Sequence, residues 1–341
     1  MNSANIKKGF ETNLVIESLI FGGKGLAHLN DLVVFVKNTI PGQVVRAKIF
    51  KKNKKYLEAY PIEIIKESKN FVKPQCNFFQ VCGGCSYQNL DYNEQIKEKQ
   101  NQINAIFSRI GKIDIPKIED FITCDEQYHY RNKMEFTFSN SPWKWELDDG
   151  KENFALGLHV PKRFDKMLNI DNCKIHNDLG NDILRDIHSI CKKNNLTPYN
   201  HINHTGFLRN LMIRHSKYFN EFMINIITSY KAPKSLSPIT NHLNKKYPNI
   251  TSIINNINTR KGGSHSNEEI VLFGNPYLRE KIGDYLFEFS SNSFFQTNSL
   301  QTFKLYETIK SLSGISEDTV IYDLFCGTGS IAIYLSNNCS N

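Results

Sequence analysis

Three thiols fall within ten residues in the run Cys76-x5-Cys82-Gly83-Gly84-Cys85, and this spacing constrains what the chain can fold into more than any other feature it has. Paired glycines let a backbone wrap closely around a bound group, and a thiol triplet of this kind suits an iron–sulfur cluster, which takes a fourth ligand from elsewhere. Zinc competes for the same donors, although its ligand pairs are ordinarily about two to four residues apart and the wider first gap slightly disfavours it. Cys124, Cys173, Cys191, Cys326 and Cys339 are the candidates for the fourth position, and spacing alone does not choose among them. A cluster of buried free cysteines is the purely structural alternative. The amino terminus, Met1-Asn-Ser-Ala-Asn-Ile-Lys-Lys, has no apolar core behind its lysines, so no signal peptide is expected and the default location is cytoplasmic. In that reducing compartment the eight cysteines are not expected to form a disulfide framework.

A length of 341 residues with 40% hydrophobic and 22% charged side chains describes a globular chain of two or three domains. The best apolar runs, Leu32 to Val36 and Met223 to Thr228, are strand-sized, which excludes a membrane-spanning helix and gives no reason to expect a membrane partner. Positive charge is uneven. Residues 1 to 69 hold eleven Lys and one Arg against six acids, a net +6 of the total +8. An excess so localised points to a polyanionic partner, the plain alternative being a solvated lysine face.

Residues 6 to 66 read as short strands: Leu14 to Ile20 alternate, Gly22-Gly23-Lys24-Gly25 punctuates, Leu32 to Val36 is a buried strand, Ile40-Pro41-Gly42 turns, and Val44 to Ile49 alternates again. This is the pattern of a five-stranded, OB-like barrel with a lysine-rich loop, Lys51-Lys52-Asn53-Lys54-Lys55, before its last strand. It resembles the TRAM domain of RNA-modifying enzymes, which implies an RNA-contacting module. After the cysteines comes a polar helix from about Asp91 to Ile110 with Ile96, Ile103, Ile106 and Phe107 as its buried stripe. Strands return from Tyr128 to Phe289, with a helical piece at Asn181 to Lys193. A helix then runs through Leu300 to Leu312, followed by a strand at Asp318 to Tyr322, a Gly-rich turn and the start of a helix at Ile331 to Leu335.

That turn is the second constellation, Asp323-Leu-Phe-Cys-Gly327-Thr-Gly329-Ser330. Its glycines permit close approach of a ligand at the carboxyl end of a strand. An acid four residues ahead of the first glycine fits an adenosylmethionine site better than the three-glycine dinucleotide fingerprint. An ordinary strand-to-helix turn is the plain alternative.

Together these features resemble the TRAM-containing, iron–sulfur uracil-5-methyltransferases that act on ribosomal RNA. The resemblance runs from about Ile6 to the last residues. Its carriers are the thiol triplet with Ser86-Tyr-Gln88, Tyr130-Arg131-Asn132-Lys133, Phe154-Ala-Leu-Gly157-Leu-His159, Ile170-Asp-Asn-Cys173, Gly206-Phe-Leu-Arg209, Ser293-Phe-Phe-Gln296-Thr-Asn298 and the Gly-rich turn. The fold it implies is multidomain, α+β and α/β. Residues 1–69 form the TRAM β-barrel, residues 70–289 a central α+β domain binding the cluster and RNA, and residues 290–341 an incomplete Rossmann-like methyltransferase domain, with helix 91–112 packing on the catalytic part. By the same resemblance Cys76, Cys82, Cys85 and Cys173 hold a four-iron four-sulfur cluster. Gln296 and Phe325 bind S-adenosylmethionine, and Asp323 and Gly327 shape that pocket. Arg131 and Lys133 contact RNA, their plain alternative being surface charges on a strand. The implied partner is 23S ribosomal RNA, and no protein partner is implied.

The implied chemistry is methylation of uracil C5, which is too weak a nucleophile alone. A cysteine thiolate adds to C6, the enolate takes the methyl group, and a base removes the C5 proton as the cysteine leaves. The target base must leave its stack, which favours a single-stranded or loop region of RNA. The sequence ends at Asn341, shortly past the Gly-rich turn. An acid to hold the ribose, expected about twenty residues beyond that turn, has no position here, and neither do the family's nucleophilic cysteine and glutamate base. Cys326 lies inside the cofactor turn and is not read as the nucleophile. The chain is therefore expected to be a truncated piece, inactive alone. The alternatives are a non-catalytic RNA-binding iron–sulfur protein and a transfer-RNA uracil-5-methyltransferase, a branch that generally lacks both TRAM domain and cluster. Radical methylthiotransferases use a Cys-x3-Cys-x2-Cys triplet, which the wider gap here argues against.

Overall fold

The alternating residues before position 66 pair into a single six-stranded sheet, which lies in the first of two compact units, Met1–Thr123 and Cys124–Asn341. The computed structural model describes residues 6–115, 121–144, 153–261 and 268–339, so the reading of the two chain ends at Met1–Asn5 and Asn341 lies outside the described residues. The strands are β1 (Glu11–Val15), β2 (Ser18–Ile20), β3 (Lys24–Leu29), β4 (Leu32–Val36), β5 (Val44–Lys52) and β6 (Tyr56–Lys66), in the order β1-β5-β6-β4-β3-β2. Only β4 and β6 run parallel. There is one strand more than the five expected because the alternating segment bends at Ile16–Glu17. The Ile16 N–H donates to the Gln43 carbonyl, whereas the Glu17 N–H donates to Leu26, so one segment supplies both edges of the sheet. Leu14, Ile16, Ala27, Val34, Val36, Val45, Ala47, Ile49, Leu57 and Ala59 fill the interior, each larger aliphatic contributing roughly 1.5–3 kcal/mol by leaving water.

The helix after the thiols, α1 (Tyr92–Ala105), starts at Asp91, whose carboxylate accepts from the N–H groups of Asn93 and Glu94. It runs into a π-helical turn, Ile106–Gly111, that closes on left-handed Lys112. The expected apolar stripe is not buried: Ile103, Ile106 and Phe107 are 38, 42 and 41% exposed. The buried position is Glu98, which accepts the Leu19 N–H at 2.6 Å. An acid reaching an unpaired strand donor thus outranks the isoleucine spacing. It ties α1 to β2 within the first unit.

In the second unit β7 (Lys133–Ser139), β8 (Ala155–Val160), β9 (Arg163–Asn169), β10 (Leu208–Ser216), β11 (Glu221–Thr228), β12 (Ile250–Ile257) and β13 (Glu268–Gly274) form a sheet of order β13-β12-β11-β10-β7-β8-β9. Its one parallel pair, β11 and β12, is connected through α3 (Ser237–Lys246). The other crossover helix, α2 (Asp178–Lys193), is capped by Asn177 and buries Ile183, Leu184, Ile187 and Cys191. The hairpin β14 (Tyr277–Ile282) and β15 (Tyr285–Ser290) precedes α4 (Ser299–Ser313) and α5 (Ser330–Leu335). Leu278, Ile282, Phe287 and Phe289 of the hairpin pack with Phe295, Tyr306 and Tyr334, so the residues after 290 share a core with the unit before them. The compact units therefore divide at residue 123, and the boundaries expected at 69 and 289 fall inside them.

Asp318–Tyr322, expected as a strand, is irregular backbone. A strand needs a neighbour for its N–H and C=O groups, and no described strand pairs with it. Val320, Tyr322, Leu324 and Phe325 accordingly stand 56, 84, 80 and 105% exposed. Among the described residues no helix is long and apolar enough to cross a membrane.

Candidate functional site

Gln296 precedes α4 and the turn Asp323–Gly329 leads into α5, both in the second unit. Gln296 is half-buried, and its carbonyl accepts from Asn132 Nδ2 at 2.8 Å. The same amide donates to Ser299 Oγ at 2.9 Å, and the Asn132 N–H donates to the Thr297 carbonyl, so β7 fixes the chain on both sides of Gln296. Asn298 then caps α4 by accepting the Gln301 N–H. In the turn, Phe325, Gly327 and Gly329 all have positive φ, of 64, 60 and 69°. For Phe325 that is a backbone cost of order 1–3 kcal/mol, and its ring is fully exposed. A Cβ placed on Gly327 would meet only the Phe294 ring, at 3.9 Å, leaving open space for a ligand to approach the backbone.

Asp323 brings charge to this turn. Its Oδ2 is buried with no hydrogen-bond partner among the described residues, an arrangement that costs free energy until a donor arrives. The carboxylate adds to the burial that raises the Tyr306 hydroxyl above its ordinary pKa, while Ser330 opposes the shift. Tyr306 Oη and Ser330 Oγ lie 2.6 Å apart, tying α4 to the first residue of α5. An unsatisfied acceptor beside an open glycine backbone suits a ligand carrying hydroxyl or ammonium donors. The residues present therefore fit S-adenosylmethionine.

Arg131 and Lys133 flank Asn132 on the approach to β7. Both are half-buried, and Arg131 Nε donates to the Lys133 carbonyl at 3.2 Å. Lys133 faces Arg214 across the β7–β10 register. Burial pushes the Lys133 ammonium below its ordinary pKa, with Arg214 and Arg131 adding to the shift and Glu135 opposing it. Arg214 is itself lowered to about 10, mainly by burial. Its guanidinium donates to the carbonyls of Ser291 and Ser293 and lies 5.3 Å from the centre of the Phe289 ring. The result is a concentrated cationic patch that an anion would relieve. This differs from the plain reading of two independent surface charges.

Cys76, Cys82 and Cys85 all stand half-buried in the loop between β6 and α1. The Cys82 N–H donates to the Phe78 carbonyl, and the Gly84 N–H donates to Cys82 Sγ at 3.4 Å. Burial raises the Cys82 thiol, and the neighbouring Cys85 and Cys76 raise it further, so the three sulfurs sense one another. Among the described residues, however, no three His, Cys, Asp or Glu side chains are gathered as a metal-binding group. The donor chemistry fits an iron–sulfur cluster: thiols only, paired glycines, and a backbone N–H aimed at sulfur. Cys173, the fourth ligand by resemblance, lies in the second unit. It is buried, and its backbone is clamped by Asn181, which accepts its N–H and donates to its carbonyl.

Two residues central to this architecture were missed in the sequence. Glu280 on β14 is 1% exposed and accepts from the N–H groups of Lys217, Tyr218 and Lys281 and from the hydroxyls of Ser216 and Ser299. Nothing in its local pattern, Tyr-Leu-Arg-Glu-Lys-Ile, separates it from a solvent-facing strand residue. Arg214 sits in a run of alternating charge, Ile-Arg-His-Ser, that likewise reads as surface. Asn132 lay inside a recognised motif, but its role as a clamp on a segment more than 160 residues away had no sequence signal.

Comparison with known proteins returns one family model, the TRAM domain, over residues 7–62. A protein of Chlorobaculum tepidum named uncharacterized RNA methyltransferase is 36% identical over 307 residues, covering 88% of this chain and 64% of its own length. One of the same name from Bacteroides thetaiotaomicron is 34% identical over 92% of this chain and 71% of its own. A third, from Clostridium acetobutylicum, is 31% identical over 98% and 71%. The chain thus spans about two thirds of the length of the curated relatives it matches. A crystal structure of the Pyrococcus abyssi tRNA (uracil-54, C5)-methyltransferase in complex with S-adenosyl-L-homocysteine shares the fold. It has a TM-score of 0.69 and 21% identity, and the match covers 95% of this chain and 70% of that one.

Proposed function

The chain belongs to the RNA methyltransferase family, and from that premise we propose that it forms the RNA-binding and cofactor-anchoring part of an enzyme that methylates C5 of a uridine in 23S ribosomal RNA. The observation that supports this most is the buried, unpartnered Asp323 Oδ2 in the same turn as the open Gly327 backbone, with α5 after that turn tied to α4 through Tyr306 and Ser330. S-adenosylmethionine would supply the methyl group there. Asp323 would accept hydrogen bonds from it, Gln296 would orient it, Phe325 would cover it, and Gly327 would admit it close to the backbone. Arg131 and Lys133, pressed together with Arg214, would neutralise RNA phosphates. The nucleophilic thiol and the base are not assigned to any residue of this chain, and Cys326 stays excluded as the nucleophile by its place in the turn.

Cys76, Cys82 and Cys85, with the fourth thiolate from Cys173, are proposed as ligands of a four-iron four-sulfur cluster. Aerobically purified protein is then brown, carries iron rather than zinc, and loses iron and colour in the Cys85→Ser variant. Colourless protein holding one equivalent of zinc would contradict the cluster. The function itself is tested by methyl transfer from labelled S-adenosylmethionine to 23S ribosomal RNA and to transfer RNA. The assay uses this chain and a version extended to the length of its relatives. The extended protein labels 23S ribosomal RNA and this chain does not. Labelling of transfer RNA alone would redirect the substrate, and full activity in this chain would overturn the division of labour.

A further inference from the structure

We propose that the groove between β2 and α1 is a second nucleotide-binding site, which takes one unstacked base of single-stranded RNA away from the methylated uridine. The inference rests on the RNA-modifying function proposed above and adds a contact that function does not require. The groove is a cavity of about 640 Å³ wholly within the first unit. That volume suits a ligand the size of a nucleotide. Phe35 and Leu26 of the barrel line one wall, and α1 with its π-helical turn forms the other.

Three features select a nucleotide as the occupant. Phe21 lines the groove while remaining 83% exposed, so its ring contributes little to the core and offers a free face for stacking. Gln102 lines the facing wall, and its Nε2, tucked beneath the surface, has no hydrogen-bond partner among the described residues, so a small turn of the amide would bring it to the groove. A base carbonyl would satisfy that donor, whereas an apolar protein side chain would leave it stranded. Arg109 stands on the π-helical turn at the groove without an ion pair among the described residues, in a chain whose first 69 residues carry a net +6. A guanidinium there is complementary to the phosphate that accompanies the base. Single π-helical turns inside α-helices occur often at functional positions, and this one carries Ile106, Arg109 and Ile110 into the same wall.

The test is binding of fluorescently labelled oligouridine to the 341-residue chain, read by anisotropy over a salt series, for wild type and for Phe21→Ala, Gln102→Leu and Arg109→Ala. Phe21→Ala is expected to weaken binding by roughly tenfold. Gln102→Leu weakens oligouridine but leaves an abasic oligomer unaffected, a split that misfolding does not produce. Arg109→Ala lowers the slope of log affinity against log salt by about one. Circular dichroism and melting curves establish that each variant is folded. Folded Phe21→Ala and Gln102→Leu proteins that bind oligouridine like wild type would overturn the groove site while leaving the methyltransferase reading intact. Wild-type protein that binds no RNA would overturn that reading as well. A Phe21→Ala effect confined to self-association would show the groove to be an interface between copies and would also overturn the proposal.

Discussion

Glu280 shows how much one side chain can organise. Two carboxylate oxygens collect five donors from β10, β14, α4 and the turn after β10. Glu280→Gln keeps the shape but turns one acceptor into a donor facing donors. It is expected to cost about 2–3 kcal/mol in urea unfolding, with Ser299 and the Gln296 segment losing order first. An unfolding midpoint unchanged from wild type would contradict the hub. His176 gives a pH signature. Burial, reinforced by His215, Arg131 and His129, lowers its imidazole from 6.5 to about 3, and neither ring nitrogen has a hydrogen-bond partner among the described residues. The folded state therefore holds it neutral, while the unfolded chain takes up a proton below pH 6.5. Its contribution to stability is complete above that pH and is lost as the pH falls toward 3, at up to about 1.4 kcal/mol per unit. Replacing it in His176→Leu should shrink the stability difference between about pH 7 and pH 5 by about 2 kcal/mol. An undiminished difference would place the acid sensitivity elsewhere. Residues inside motifs, such as Gln296 and Asp323, were singled out in the sequence because those motifs resemble a family's. Glu280 and Arg214 were not, because their partners come from distant strands and only the fold reveals them.

At the scale of elements, local chemistry predicted boundaries well and partnerships poorly. Helices α2, α4 and α5 stand within a few residues of their expected places because apolar spacing, the Asn caps of α2 and α4 and the glycine before α5 are local signals. The sixth strand of the first sheet arises from a mid-segment bend, and α1 docks through Glu98, neither of which periodicity encodes. Asp318–Tyr322 has strand composition without a described neighbour, and composition alone does not make a strand. Gly157 on β8 illustrates the opposite case, a position where the element leaves no choice. A Cβ there would overlap the Leu168 carbonyl oxygen and crowd the Ile170 amide across the β8–β9 pair, both of them backbone. Gly157→Ala is expected to destabilise the second unit by about 3 kcal/mol or more, or to yield insoluble protein. A soluble variant with the wild-type melting temperature would show that β9 can shift.

At the scale of the whole molecule, positive charge is concentrated in the first part of the chain. The net +6 of residues 1–69 coincides with the TRAM match, and the Gly-rich turn proposed to hold the cofactor lies in the second unit, whose core includes the hairpin, α4 and α5. A polyanion gripped by that charge would bind with a salt-dependent affinity. The activity proposed for this protein is uracil-5 methylation of 23S ribosomal RNA. It is tested most directly by nucleoside mass spectrometry of RNA from cells in which the gene is disrupted and then restored at the length of its relatives. The account predicts that 5-methyluridine disappears from 23S ribosomal RNA and returns on restoration, while transfer RNA is unchanged. Unaltered 5-methyluridine in 23S ribosomal RNA after disruption would contradict it.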